Sequence, residues 1–273
     1  MRRLIRATVR IWATLFLVVA CYIGLVRVGL LPNPFAPIAR GDLVLAESGR
    51  PGLRILFVGN SFTFENSMPE LVHKLAAADP RGRPIFAVEY TAPLWSLRAA
   101  SEDDGLKRLI HRIPWNVVVL QERSWIPALS LEERARQMYP YAWSLQRDIA
   151  AVRAETMLFM TWGYEHGYRG VSGDTFDGMQ LRLANGYEDL AEKLGAYVAP
   201  VGLAWAEALR GRPGLHLWAS DGKHPSKLGS YLAACVFYAM LTHQDPRGSS
   251  FTAGLALREA RYVQQVSADV VLH

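Results

Sequence analysis

Three residues of this chain have the types and positions that nucleophilic catalysis requires. Ser61 follows an apolar run, Ile55 to Val58, through Gly59 and Asn60, while Asp221 and His224 stand three residues apart far downstream. A serine hydroxyl is a weak nucleophile until a base takes its proton, and histidine is the usual base near neutral pH. A carboxylate then fixes the histidine tautomer and stabilises the imidazolium. The Asp221–His224 spacing lets the carboxylate reach Nδ1 across one turn of chain, leaving Nε2 free to face another loop. Taken alone, Ser61 also reads as a turn or helix N-cap, and His224 as a helix-start histidine satisfied by backbone. Taken together, and with Ser61 at a strand end, they read as nucleophile, base and orienting acid.

The elements around them must place these groups at one edge. Short apolar runs at 54–58, 85–90, 117–120, 156–161 and 196–199 read as strands. Helical patterns fall between and after them at 68–78, 94–111, 131–152, 178–194, 203–210 and 227–242. This alternation predicts βαβ units, a parallel sheet covered on both faces and, with right-handed crossovers, a three-layer α/β/α sandwich. Serine at the end of the first strand then lies on the carboxyl edge, where open α/β sheets place their chemistry. Pro225-Ser226 supplies a stop and an N-cap for the last long helix, which is apolar on nearly all faces and expected to be buried.

Gly59-Asn60-Ser61-Phe62-Thr63, with Asp221-Gly222-Lys223-His224-Pro225-Ser226 near the carboxyl end, resembles the SGNH (GDSL-like) hydrolase superfamily over residues 53–243. The nucleophile block of that superfamily is usually Gly-Asp-Ser; here Asn60 takes the place of the Asp. The resemblance implies a flavodoxin-like three-layer fold with a five-stranded parallel sheet, and a serine esterase with Ser61 as nucleophile, His224 as base and Asp221 as its partner. It also implies an oxyanion hole built from the Ser backbone N–H, a glycine N–H after the second strand and an Asn side chain after the third. This chain departs at both later positions. Tyr90-Thr91-Ala92-Pro93-Leu94-Trp95 has no glycine, and Pro93 has no N–H, so Ala92 or Leu94 has to serve. Gln121-Glu122-Arg123-Ser124 has no Gly-x-Asn-Asp, and Gln121 is the candidate donor; a side-chain amide of this kind is worth ~3 kcal/mol where it has been removed.

Asn60, Glu122, Trp162 and Glu165 are candidate substrate contacts, with Glu122 alternatively paired to Arg123. Trp162-Gly163-Tyr164-Glu165-His166-Gly167 follows the fourth strand at the same edge, and its aromatic and acidic groups suit a polar ligand such as a sugar. His166, Asp174 and Asp177 lack metal-ligand spacing, so no metal and no cofactor are expected. Nucleotide-binding glycine loops and the Gly-x-Ser-x-Gly motif are both missing.

Charge is distributed unevenly. The 273 residues carry 30 basic and 25 acidic side chains, yet six arginines and no acid fall within residues 1–40, leaving 24 basic against 25 acidic groups beyond. Such a body has no basic field for nucleic acid. Residues 11–31 hold one charge, Arg27, and are long enough to span a bilayer, with the arginine cluster staying cytoplasmic. The expected organisation is a signal anchor or signal peptide at 1–31, a linker at 32–51, an SGNH-like domain at 52–245 and a carboxyl-terminal extension of that domain at 246–273. The catalytic domain is expected outside the cytoplasm, in the periplasm or cell envelope. A cleaved, secreted form and a lipoprotein box at Val18-Val19-Ala20-Cys21 are the alternatives. The two cysteines, Cys21 and Cys235, are not expected to pair. The expected function is hydrolysis of an ester, O-acyl or O-acetyl on a carbohydrate or envelope glycan. The alternatives are a tethered, non-catalytic binding domain and an O-acyltransferase using the same triad.

Overall fold

The computed structural model describes residues 36–80 and 82–273. Its strands are β1 (Ile38–Gly41), β2 (Leu53–Gly59), β3 (Ile85–Thr91), β4 (Val117–Leu120), β5 (Glu155–Phe159) and β6 (Tyr197–Ala199). They form one sheet in the order β1-β3-β2-β4-β5-β6. β2 to β6 run parallel and are the five expected strands. The central ones are buried almost along their whole length, as strands covered on both faces must be.

The sixth strand corrects the five-stranded expectation. β1 pairs antiparallel with β3, Ile38 opposite Thr91, within the stretch expected to be a linker. Its four residues are all exposed, so its pairing is a backbone matter that leaves no apolar pattern. A short helix, α1 (Leu43–Glu47), follows it.

The remaining helices are α2 (Ser61–Phe64), α3 (Met68–Ala78), α4 (Leu97–Glu102), α5 (Asp104–Arg112), α6 (Leu131–Gln137), α7 (Tyr139–Ala151), α8 (Phe176–Leu194), α9 (Val201–Gly211), α10 (Lys227–Thr242) and α11 (Leu257–Leu272). Two expected helices are each divided. Asp103 separates α4 from α5: its carboxylate accepts from Leu106 N–H at 2.7 Å and from the Tyr90 hydroxyl at 2.9 Å, and such side-chain bonds compete with helix continuation. Met138 separates α6 from α7, with Pro140 in the new first turn, where a missing N–H is tolerated.

α10 packs against both α3 and α11, and α4 and α5 pack against α7, so helices cover the sheet. In α10 every residue from Leu228 to Ala239 is buried. Phe237 meets Phe57 of β2 and Phe159 of β5 edge-on, with ring centroids 5.1 and 4.9 Å away. Residues Ile38–His273 form one compact unit. The expected membrane segment at 11–31, and Cys21 with it, lies outside the described residues. Among the described residues no helix is long and apolar enough to cross a membrane. Cys235 is a free, buried thiol, and burial pushes its pKa up.

Without the antiparallel edge the strand order is β3-β2-β4-β5-β6. The chain winds outward in both directions from β2 and β4, which places a ligand crevice beyond the carboxyl ends of those two strands. Ser61 follows β2 and Gln121 follows β4.

Phe237 holds α10 to the sheet, so Phe237→Ala is expected to cost about 3–5 kcal/mol. Urea unfolding checks this; a loss under about 1 kcal/mol would mean the aromatic contact does not anchor the helix.

Candidate active site

Ser61 opens α2, immediately after the turn at the end of β2. The turn is held by the side chain of Gln121. Its Oε1 accepts from the Asn60 backbone N–H at 2.9 Å and from the Thr63 hydroxyl at 3.1 Å. A Cβ on residue 59 would stand 2.5 Å from both Gln121 Oε1 and Thr63 Oγ1, which is why glycine occupies the position. Asn60 caps α2, its Oδ1 accepting from Phe62 N–H at 3.1 Å while its Nδ2 donates to Trp95 O at 2.8 Å.

The segment carrying the other two groups folds back on itself. Ala219 N–H donates to His224 O and Ser226 N–H to Leu217 O, each at 2.8 Å, and Ser226 caps α10. Gly222, in the left-handed conformation, turns the chain between Asp221 and His224. The turn is secured from the loop after β5: Trp162 Nε1 donates to Lys223 O and Glu165 N–H to Gly222 O, both at 2.9 Å. It is also secured from the nucleophile segment, where Asn66 Nδ2 donates to Pro225 O at 3.1 Å and to Ser230 Oγ at 2.9 Å.

These supports bring the three chemical groups into line. Ser61 Oγ lies 2.9 Å from His224 Nε2, and His224 Nδ1 lies 2.5 Å from Asp221 Oδ2. Asp221 Oδ1 accepts from the N–H groups of Lys223 and His224, each at 3.0 Å. Partial burial would raise the Asp221 pKa, but the His224 ring and the two N–H donors outweigh it and hold the carboxyl below its ordinary value. The group therefore stays ionised at neutral pH, a state that the 44% exposure of its side chain also favours.

No protein-family model matches the chain, and no curated protein matches it. Solved structures do. A DUF4886 family protein from Bacteroides uniformis superposes with a TM-score of 0.68, covering 81% of this chain and 95% of its own at 18% identity. A proposed SGNH hydrolase from Slackia heliotrinireducens is 29% identical, with a TM-score of 0.57, over 70% of this chain and 99% of its own. The chain thus shares the fold of SGNH (GDSL-like) hydrolases and resembles them. A proposed GDSL-like lipase from Parabacteroides merdae shares the fold at 14% identity and a TM-score of 0.51, over 70% of this chain and 95% of its own.

Within this SGNH fold several expected roles move. Gln121 is not free to donate to an oxyanion. Its carbonyl is consumed by Asn60 and Thr63, its Nε2 donates to Glu122 O, and it is buried. Ala92 is likewise spent, its N–H donating to Gly59 O at 3.2 Å. Among the described residues the N–H groups of Ser61 and Leu94 carry no such bond. Asn60 and Trp162 are buried and committed to the scaffold, so neither is a substrate contact. Trp162 lies stacked between Phe62 and Trp205, with centroids at 4.8 and 4.1 Å. Glu165 is exposed beside Gly222 and keeps its side chain free. Asp174 is bound to Arg182 at 2.6 Å.

Glu122 is also reassigned. It is wholly buried, and its Oε1 accepts from Leu97 N–H at 3.1 Å and Arg123 N–H at 2.6 Å. Arg123 turns its guanidinium to Leu94 O instead of pairing with it. Asn66 is a supporting residue that sequence reasoning missed. Its signal is the Asn66-Ser67 pair before α3, both in the left-handed region, which asparagine tolerates better than most residues.

Burial pushes the Glu122 pKa up to about 8, against the opposing pull of those two N–H groups and the Arg123 charge. A raised folded-state pKa means that this group's contribution to stability is complete below the ordinary 4.5 and is lost as pH rises through about 8. Between roughly pH 6 and 9 the Tm of the wild type should therefore fall by about 5 °C more than that of Glu122→Gln, which cannot ionise. Parallel Tm profiles would show that Glu122 is already charged in the fold.

Proposed function

We propose that this chain is a serine ester hydrolase in which Ser61, His224 and Asp221 act as a triad. The observation that carries the reading is the hydrogen-bonded line from Ser61 Oγ through His224 to Asp221, 2.9 and 2.5 Å long, at the carboxyl edge of the sheet. Asp221 accepts Nδ1–H, which leaves Nε2 as the acceptor of the serine proton. Ser61 attacks the ester carbonyl, His224 passes the proton to the departing alcohol, and water then releases the acyl group by the same route. The backbone N–H groups of Ser61 and Leu94 are the donors for the transient oxyanion.

We assign the substrate to O-acyl groups on a carbohydrate. Trp125 and Tyr168, on loops after β4 and β5, stack with centroids 6.3 Å apart and an interplanar angle of 7°, and both are partly exposed. Flat faces of this kind suit a sugar ring, and the exposed Glu165 suits its hydroxyls. A catalytic domain held outside the cytoplasm by residues 11–31 would meet such glycans. The arginine cluster at 2–10 and the apolar run after it support that topology.

A second reading, a tethered glycan-binding domain without turnover, is favoured by one observation: Gln121 spends its amide on the scaffold. Short-chain aryl ester hydrolysis and labelling by a fluorophosphonate probe separate the two. The hydrolase reading expects both, with Ser61→Ala abolishing labelling and lowering turnover on the order of 10⁴-fold, and Asp221→Asn lowering it comparably. Equal rates for wild type and Ser61→Ala would remove Ser61 from the chemistry. A carboxyl-terminal reporter fusion that works only inside the cell would reverse the proposed topology.

A further inference from the structure

The turn after β3 carries a residue that its backbone does not favour. Trp95 N–H donates to Ala92 O at 3.3 Å, closing a turn over Pro93 and Leu94. Leu94 has φ +60°. Proline at the second position and a left-handed third residue make a type II turn, whose third position ordinarily takes glycine or asparagine. A branched L-residue held there is strained by its own Cβ. Burial does not repay the strain, because Leu94 is 63% exposed.

The surroundings impose the conformation. Arg123 grips Leu94 O with Nε at 3.0 Å and with Nη2. Asn60 Nδ2 grips Trp95 O at 2.8 Å, and Ala92 N–H is bound to Gly59 O. The turn is thus tied on both sides to the block that carries Ser61. In the sheet Gly59 is paired with Thr91, three residues before Leu94. The turn that carries this exposed isobutyl group is therefore tied to the block that carries Ser61, and the N–H of the same residue is a proposed oxyanion donor.

We propose that Leu94 is a specificity-determining residue whose side chain walls off the acyl side of the site and restricts it to short acyl groups. A side chain on the oxyanion-donating residue is close enough to reach one of the two substituents of the ester carbonyl. An apolar wall suits the hydrocarbon side, since a sugar alcohol would lose hydration against it. Glycine would give the same turn without strain and leave the space open. The inference rests on the serine hydrolase reading and deepens it.

The test compares kcat/KM for acetyl and octanoyl aryl esters in the full chain as wild type, Leu94→Gly and Leu94→Ala. The wild type should prefer acetyl. Both variants should raise the octanoyl-to-acetyl ratio by about tenfold or more, because both remove the wall while keeping the N–H. The two variants separate side chain from strain, as only glycine relaxes the turn. A raised ratio in glycine alone would make the backbone, and not the wall, responsible, and would overturn the inference. An unchanged ratio in both, with an active wild type that depends on Ser61, would overturn it while leaving the hydrolase reading intact. A wild type that hydrolyses neither ester would overturn the reading and the inference together.

Discussion

A buried backbone N–H must find an acceptor, and at Asn60 it finds the side-chain carbonyl of Gln121. Much of the site's geometry follows from that bond. Gln121 sits one residue beyond β4, its own N–H bonded to Val58 O at 2.9 Å, so it stands level with the end of β2. Its carbonyl lies so close to the chain at Gly59 that no side chain fits there. The strand is thereby forced to turn, and the turn delivers Ser61 as the first residue of α2. The other end of Asn60 then reaches Trp95 and fixes the segment after β3. One acceptor, fully spent, orders the nucleophile and the loop beside it.

The base and its acid are fixed by a separate set of contacts that share no residue with Gln121. The His224 segment is bound through backbone groups to Trp162, Glu165 and Asn66. It stands at the amino end of a helix whose central turns are buried. Beneath it, Phe62 of the nucleophile segment lies 5.6 Å from the His224 ring and is stacked on Trp162. Asp221 is unusual for its exposure. It is held in place by three hydrogen bonds within its own turn. Attraction between exposed charges is weak in water, so its contribution there is mainly to hold the ring and choose its tautomer.

What was legible in the sequence divides along physical lines. The five parallel strands could be read because burial on both faces demands continuous apolar runs, and α10 because burial on all faces demands an apolar helix. β1 could not, since an exposed edge strand pairs only through its backbone. The breaks at Asp103 and before Pro140 were present as local signals, but the apolar period continues across both. The Ser61, Asp221 and His224 positions could be read because strand-end placement and a spacing of three are properties of the chain itself. Gln121, Ala92, Asn60, Glu122 and Trp162 were legible as groups at the right edge and misread in role. Periodicity places a residue at an edge without saying whether it faces a substrate or a buried backbone group, and at each of these positions the claim of the backbone or the core won.

The same claim shapes the chemistry on the proposed reading. A side-chain amide aimed at the oxyanion is worth ~3 kcal/mol, about two powers of ten in rate. With Gln121 committed to the turn, stabilisation falls to backbone N–H groups at Ser61 and Leu94. Backbone donors work only if their turn cannot relax, since a wandering N–H has lost its preorganisation. That requirement gives a reason for the effort spent on the segment after β3. Arg123, Asn60 and Glu122 each bind a different backbone group between Leu94 and Leu97, and together they hold a leucine where glycine would fold more easily. Rigidity of the turn thus stands in for the missing amide, and the residues that supply it lie directly after β2 and β4, where the sheet opens its crevice.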